Sequence, residues 1–215
     1  MKHLPIALAL VLVAPLANAE DRNPPAPETL SQEKFQALAG QLAKGGYVFY
    51  FRHAATRHDQ EDHHPAVLED CASQRNLSQA GKDQAAAIGA AFRELRIPVG
   101  RVIASPYCRC MDTARLAFSK FDVSEDLHFA IGLDKSQRQV KGEALRQLLA
   151  QPPAPGTNTV LVAHTANLDE ATGIWPKPEG AAVLFRPDGQ GSFRAVGRIP
   201  PELWSDALAK PAKKR

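Results

Sequence analysis

The sequence predicts an α/β fold, a mainly parallel central sheet flanked by helices. Short apolar, β-prone runs recur at residues 47–51, 101–104 and 159–163. Helical patterns stand between them, at residues 78–95 and 142–150. Two of the apolar runs end abruptly in basic residues or histidine, at the strand ends where open α/β sheets hold ligands.

The chain begins with Lys2 and His3, an apolar run over residues 4–16, and Ala17-Asn18-Ala19. That is the pattern of a secretory leader with a small-residue cleavage site, so residues 1–19 read as a signal peptide. The run is too short for a stable membrane span. The mature protein is expected in the periplasm or outside the cell, with no membrane span after processing. Net charge is +3, and the leader holds one lysine and no acid, so the mature chain would carry +2. That gives no reason to expect a nucleic-acid partner.

Residues 20–45 read as a Pro-rich linker followed by a short helix over 31–44, with Phe35, Leu38 and Leu42 on one side. Gly45-Gly46 ends it, and one domain follows over 46–208, leaving a basic tail at 209–215. The run 47–51 (YVFYF) has no polar alternation, as in a strand buried on both faces. A polar loop spans 54–75. Ser78 is placed to cap the helix over 78–95, whose Ile88, Ala91, Phe92 and Leu95 fall at helical spacing. After strand 101–104, Ser105-Pro106 reads as a cap and first helical residue, with Tyr107, Met111, Ala114 and Phe118 as the apolar stripe. Pro152-Pro153 stops the helix over 142–150. The last two strands, 181–185 and 193–196, flank a Pro187-Asp188-Gly189 turn and read as a hairpin. Trp175 and Trp204 read as packing residues.

Arg52-His53 follows one strand and His164 another, while Arg109 lies in the first turn of the helix after a third. Two arginines and two histidines thus converge on one sheet edge. Guanidinium groups bind phosphate oxygens through paired, charge-assisted hydrogen bonds. Nearby positive charge keeps an imidazole neutral and nucleophilic, and a neutral imidazole can attack phosphorus. With that much fixed positive charge, no metal or other cofactor is called for. The loop residues His58, Asp59, Glu61, Asp62, His63 and His64 read as a solvated loop, with a metal site or a substrate-selecting lid as the other reading. Of three cysteines, Cys71 and Cys108 are expected to form a disulfide between this loop and the Arg109 helix. Cys110 is left free, because side chains two apart at a helix start diverge; three buried thiols is the other reading.

The run Tyr50-Phe51-Arg52-His53-Ala54-Ala55-Thr56 resembles the Arg-His-Gly signature of the histidine phosphatase superfamily, the phosphoglycerate mutase-like fold. Leu77-Ser78-Gln79-Ala80-Gly81, Ser105-Pro106-Tyr107-Cys108-Arg109 with Thr113-Ala114, and Val162-Ala163-His164 resemble its later blocks in order, over about residues 46–200. The resemblance implies a three-layer fold, His53 as phosphate acceptor, and Arg52, Arg109 and His164 around the phosphate of a small phosphomonoester. The leader and chain ending resemble an exported bacterial branch that includes a lipopolysaccharide-core heptose phosphatase, which would make the substrate an envelope sugar phosphate. Ala54 stands where the signature has glycine. Ala55 and Thr165 stand where mutase-type and phytase-like members carry acids. A phosphatase is therefore expected rather than a mutase, with a non-catalytic phosphate-binding protein as the alternative. Glu125, Asp126, Asp134 and Glu143 lie in the right stretch for an acid, but nothing in their local pattern selects one. Activity is accordingly expected to depend steeply on the leaving group.

Overall fold

The computed structural model describes residues 27–63 and 67–209. The readings of the leader, of residues 20–26, of His64 and of the tail beyond 209 lie outside the described residues.

Six strands form one sheet: β1 Val48–Arg52, β2 Val99–Ala104, β3 Asp122–Val123, β4 Asn158–Ala163, β5 Ala182–Pro187 and β6 Phe193–Ile199. Their order is β3-β2-β4-β1-β5-β6. The pairs β2–β3, β2–β4 and β1–β4 are parallel, while β5 runs antiparallel to β1 and β6. The helices are α1 Gln32–Leu42, α2 Gln79–Glu94, α3 Cys108–Phe118, α4 Lys135–Ala150, α5 Thr165–Thr172 and α6 Glu202–Leu208.

Side chains alternate across each strand, so β1 feeds two cores. Phe49 and Phe51 point to a layer with Phe35, Phe92 and Trp204 from α1, α2 and α6. Val48 and Tyr50 point to the other, with Leu145, Leu149 and Leu168 from α4 and α5. Both faces are covered, which is why the run is apolar throughout.

Ser78 caps α2, accepting from the Gly81 N–H at 3.0 Å. Gly81 is required by proximity: a Cβ there would fall 1.8 Å from the Ala55 carbonyl oxygen. The first turn of α2 thus lies directly on the backbone that follows His53.

Several sequence expectations need correction. Ser105 does not cap α3. The helix begins at Cys108, Tyr107 holds the cap position without a side-chain bond, and the Ser105 hydroxyl lies 2.9 Å from Nε2 of His164. A buried imidazole claims the hydroxyl before the helix end can. The helix expected over 142–150 starts earlier, at Lys135. Its first turns are polar and mostly exposed, so no apolar stripe announces them, and a reciprocal box between Asp134 and Gln137 marks the boundary instead. Trp204 is packed, but Trp175 is 43% exposed beside Lys177. Strand β3 and helices α5 and α6 were not anticipated: each is too short to carry a period.

Cys71 and Cys108 are joined in a disulfide with a Cα–Cα separation of 5.7 Å, and Cys110 is free and buried. The bond ties the loop after His53 to the first residue of α3. Its ends are 37 residues apart, and loop-closure entropy for such a span is worth about 3–4 kcal/mol. Reduction, or Cys71→Ser, is expected to lower stability by about that amount, read as a shift of the denaturant midpoint at constant slope. An unchanged midpoint would refute it.

Candidate active site

Strands β2, β4 and β1 lie side by side and parallel, so their carboxyl ends deliver neighbouring residues. Arg52 pairs with Ala163 and Ala104 with Val162 in the sheet register. One step beyond, His53 and His164 face each other with ring centroids 5.5 Å apart. Arg109 reaches in from α3, its Nη2 3.5 Å from Nδ1 of His164. The structure therefore brings Arg52, His53, Arg109 and His164 together. His53 is 3% exposed, His164 1% and Arg109 0%.

Local contacts set the state of each imidazole. His53 Nδ1 lies 2.9 Å from the Ala54 carbonyl oxygen. A carbonyl can only accept, so Nδ1 carries the hydrogen and Nε2 keeps its lone pair. Burial, and then the charge of Arg109, push the His53 pKa well below the usual histidine range. The same two causes act in the same order on His164. A guanidinium can only donate, so Nδ1 of His164 accepts and its Nε2–H donates to Ser105. Tyr50 donates its hydroxyl to the His164 carbonyl at 2.7 Å. Burial raises the Cys110 thiol to about 12, so it stays protonated beside His164.

Other residues complete the pocket without any local signal in the sequence. Arg52 donates to Glu179 Oε1 at 3.1 Å, and Arg75 lies 3.8 Å from the same oxygen. Glu179 also accepts from the Thr56 N–H at 2.8 Å and the Thr56 hydroxyl at 2.9 Å. Gln84 of α2 accepts from the Ala55 N–H and donates to the Glu179 carbonyl. Thr113 of α3 accepts from the Ala54 N–H at 3.0 Å and donates to the Arg109 carbonyl at 2.7 Å. The backbone after His53 is thereby held from three elements.

The polar loop is not wholly solvated. Asp62 is a pocket residue, its side chain 11% exposed, and its Oδ1 accepts from Arg109 Nη1 at 2.8 Å and from the Arg75 N–H at 2.9 Å. Glu125, Asp126, Asp134 and Glu143 bond elsewhere or not at all: Asp134 caps α4, Asp126 accepts from Ser124, and Glu143 lies 4.0 Å from Arg146. Among the described residues, no three His, Cys, Asp or Glu side chains gather as they would around a metal ion. An aromatic wall closes one side, with Tyr107 and Phe129 at 4.7 and 5.4 Å from the Arg109 guanidinium carbon. Asn167 secures that wall, donating to the His128 carbonyl and accepting from the Ala130 N–H.

The arrangement joins fixed cationic donors to two neutral imidazoles at the edge of a sheet. It can bind a tetrahedral oxyanion and offer it a nitrogen lone pair. Residues 48–131 match the model of the histidine phosphatase superfamily (branch 1). That stretch includes Arg52, His53 and Arg109 and stops short of His164. No curated protein sequence matches the chain. Among solved structures, an Entamoeba histolytica phosphoserine phosphatase bound to 3-phosphoglyceric acid is similar at 12% identity. The match covers 74% of this chain and 98% of that one, with a TM-score of 0.54. A mycobacterial glucosyl-3-phosphoglycerate phosphatase is similar at 16% identity, covering 72% and 99%, with a TM-score of 0.52. The protein histidine phosphatase SixA complexed with tungstate is similar at 17% identity, covering 72% and 97%, with a TM-score of 0.50. At these identities the likeness is one of fold.

Proposed function

We propose that the chain, whose residues 48–131 match the histidine phosphatase superfamily model, is a member of that superfamily and an exported, metal-independent phosphomonoesterase working through a phosphohistidine on His53. The observation that carries this reading is the buried, neutral His53, its hydrogen committed to Ala54 and its free lone pair set among the Arg52 and Arg109 guanidiniums.

The two arginines hold the phosphoryl oxygens, and His53 Nε2 attacks phosphorus. The bond to the ester oxygen breaks, and its electron pair leaves with that oxygen, which takes a proton. Water then attacks the phosphohistidine, gives up a proton, and releases inorganic phosphate and neutral His53. The guanidiniums supply most of the charge stabilisation, and His164, accepting from Arg109 Nη2 at its Nδ1, holds that guanidinium in place. Glu179 aims Arg52, and Thr113 holds the Ala54 amide.

Small phosphorylated compounds name two of the similar structures, in keeping with a small phosphomonoester here. The leader-like N-terminus, and a disulfide at the pocket's rim, support an oxidising location outside the cytoplasm. An envelope sugar phosphate is the substrate class that fits that location. Among the described residues, no helix is long and apolar enough to cross a membrane.

The test is turnover of an aryl phosphate by the mature protein in a chelator, with acid quench to trap phosphohistidine. Turnover should persist, with phosphate on His53. The depressed His53 pKa keeps its lone pair available as pH falls through about 6.5, the ordinary histidine value. Activity corrected for the substrate's own ionisation near about pH 6 should therefore hold across that range. Turnover that requires a divalent ion, or a loss centred at or above about pH 6.5, would sink the reading. Phosphate binding without a phosphoenzyme would point to a binding protein instead.

A further inference from the structure

The phosphatase reading leaves one role unfilled, the group that protonates the departing oxygen. Two carboxylates stand at the pocket, and their surroundings divide the work between them. Glu179 accepts from Arg52, the Thr56 N–H and the Thr56 hydroxyl, with Arg75 close by. Both its oxygens are engaged by donors, which leaves neither free to face a substrate. It is an orienting group for Arg52.

Asp62 is placed differently. Its Oδ1 accepts from Arg109 Nη1 and from the Arg75 N–H, and its Oδ2 accepts no hydrogen bond among the described residues. Arg109 spans the pocket, carrying Asp62 on one amino group while the other lies 3.5 Å from His164. The loop is fixed on both flanks of this pair. The His63 N–H donates to the Ser73 carbonyl, and the disulfide joins Cys71 to Cys108, the residue before Arg109.

We propose that Asp62 is the general acid of this phosphatase, donating from Oδ2 to the leaving oxygen. The role rests on the phosphatase reading above. A phosphoryl group held between His53 and Arg109 has the imidazole as attacker. In-line displacement then sends the leaving oxygen away from His53, to the side the proposal assigns to Asp62. The proton on Oδ2 comes from solvent before the first turnover and from the attacking water in each later one. When the P–O bond breaks, the pair on oxygen takes the Oδ2 proton and the alcohol departs. The resulting carboxylate then accepts a proton from the water that attacks phosphohistidine, and the cycle closes.

The experiment compares wild type with Asp62→Asn across phosphomonoesters of graded leaving-group pKa. Asparagine keeps an Oδ1 acceptor for Arg109 and Arg75 but has no transferable proton. Wild type should show a shallow dependence, the reverse of the steep one expected from the sequence, because Asp62 stands at the pocket. The variant should lose about 10²–10⁴-fold on alkyl phosphates and far less on nitrophenyl phosphate, giving a steep slope. Affinity for inorganic tungstate should not fall, since both guanidiniums remain and a negative charge beside Arg109 is gone. Equal loss on all esters would overturn the proposal and make Asp62 a positioning residue for Arg109. A gain on all esters would overturn it too, making Asp62 a plug. A steep slope already present in wild type would likewise refute it. Should Asp62→Asn fail to fold, Asp62→Glu keeps the acid, and a slope as steep as an acid-free enzyme's would count against the proposal. A wild type that neither turns over nitrophenyl phosphate nor forms phosphohistidine would bring down the phosphatase reading itself, a result distinct from all of these.

Discussion

Replacing His53 by alanine is expected to abolish turnover and phosphoenzyme together. Removing the attacking side chain of a covalent mechanism costs on the order of 10⁶-fold in kcat, and no neighbour can substitute. His164 spends its Nε2–H on Ser105 and meets Arg109 at Nδ1, and Cys110 stays a thiol because burial raises it to about 12. The lost imidazole is buried, so circular dichroism and tungstate binding must show that the variant is folded with its anion site intact. A folded variant that keeps more than a trace of activity would mean that His53 is not the nucleophile.

The second large effect is Arg109→Ala. The guanidinium side is 1% exposed and its partner Asp62 11% exposed. Truncating one member of a buried pair leaves the other charge uncompensated, at about 3–5 kcal/mol. Catalysis should fall by at least about 10²–10³-fold, the usual cost of one charge-stabilising donor. Arg109→Lys should recover part of the stability and little of the rate, because a point charge cannot replace a planar fork. The decisive measurement is the double variant with Asp62→Asn. If the penalty comes from a stranded carboxylate, denaturation should find the double variant more stable than Arg109→Ala alone. Additive losses would show that Arg109 stabilises the protein through packing on Tyr107 and Phe129 rather than through the pair.

The parts legible in the sequence are those whose cause is local. The strand ending at Arg52-His53 is apolar throughout because helices cover both its faces, and a continuous apolar run is readable without knowing its neighbours. Ser78 and Gly81 announce the start of α2. The four basic and imidazole side chains were findable because strand ends are where such sheets hold ligands. Asp62, Arg75 and Glu179 were not. Asp62 meets Arg109 across 47 residues and Glu179 meets Arg52 across 127, and each looks like a surface charge within its own segment. Ser105 was misread for the same reason, since its claimant, His164, lies 59 residues away. Helix α5 escaped because a single residue, His164, separates it from β4 and it runs for only 8 residues.

Strands β1 and β4 run in parallel register, from Val48 opposite Thr159 to Arg52 opposite Ala163, and the His53 N–H continues the ladder onto the Ala163 carbonyl at 3.0 Å. The sheet therefore acts as a ruler. Because successive side chains alternate faces, a one-residue slip turns every following side chain to the opposite face. Within β1 and β4 the identity of an apolar residue is negotiable, but the number of residues is not. One residue gained or lost there would turn one imidazole away from the other while leaving every chemical group in the protein.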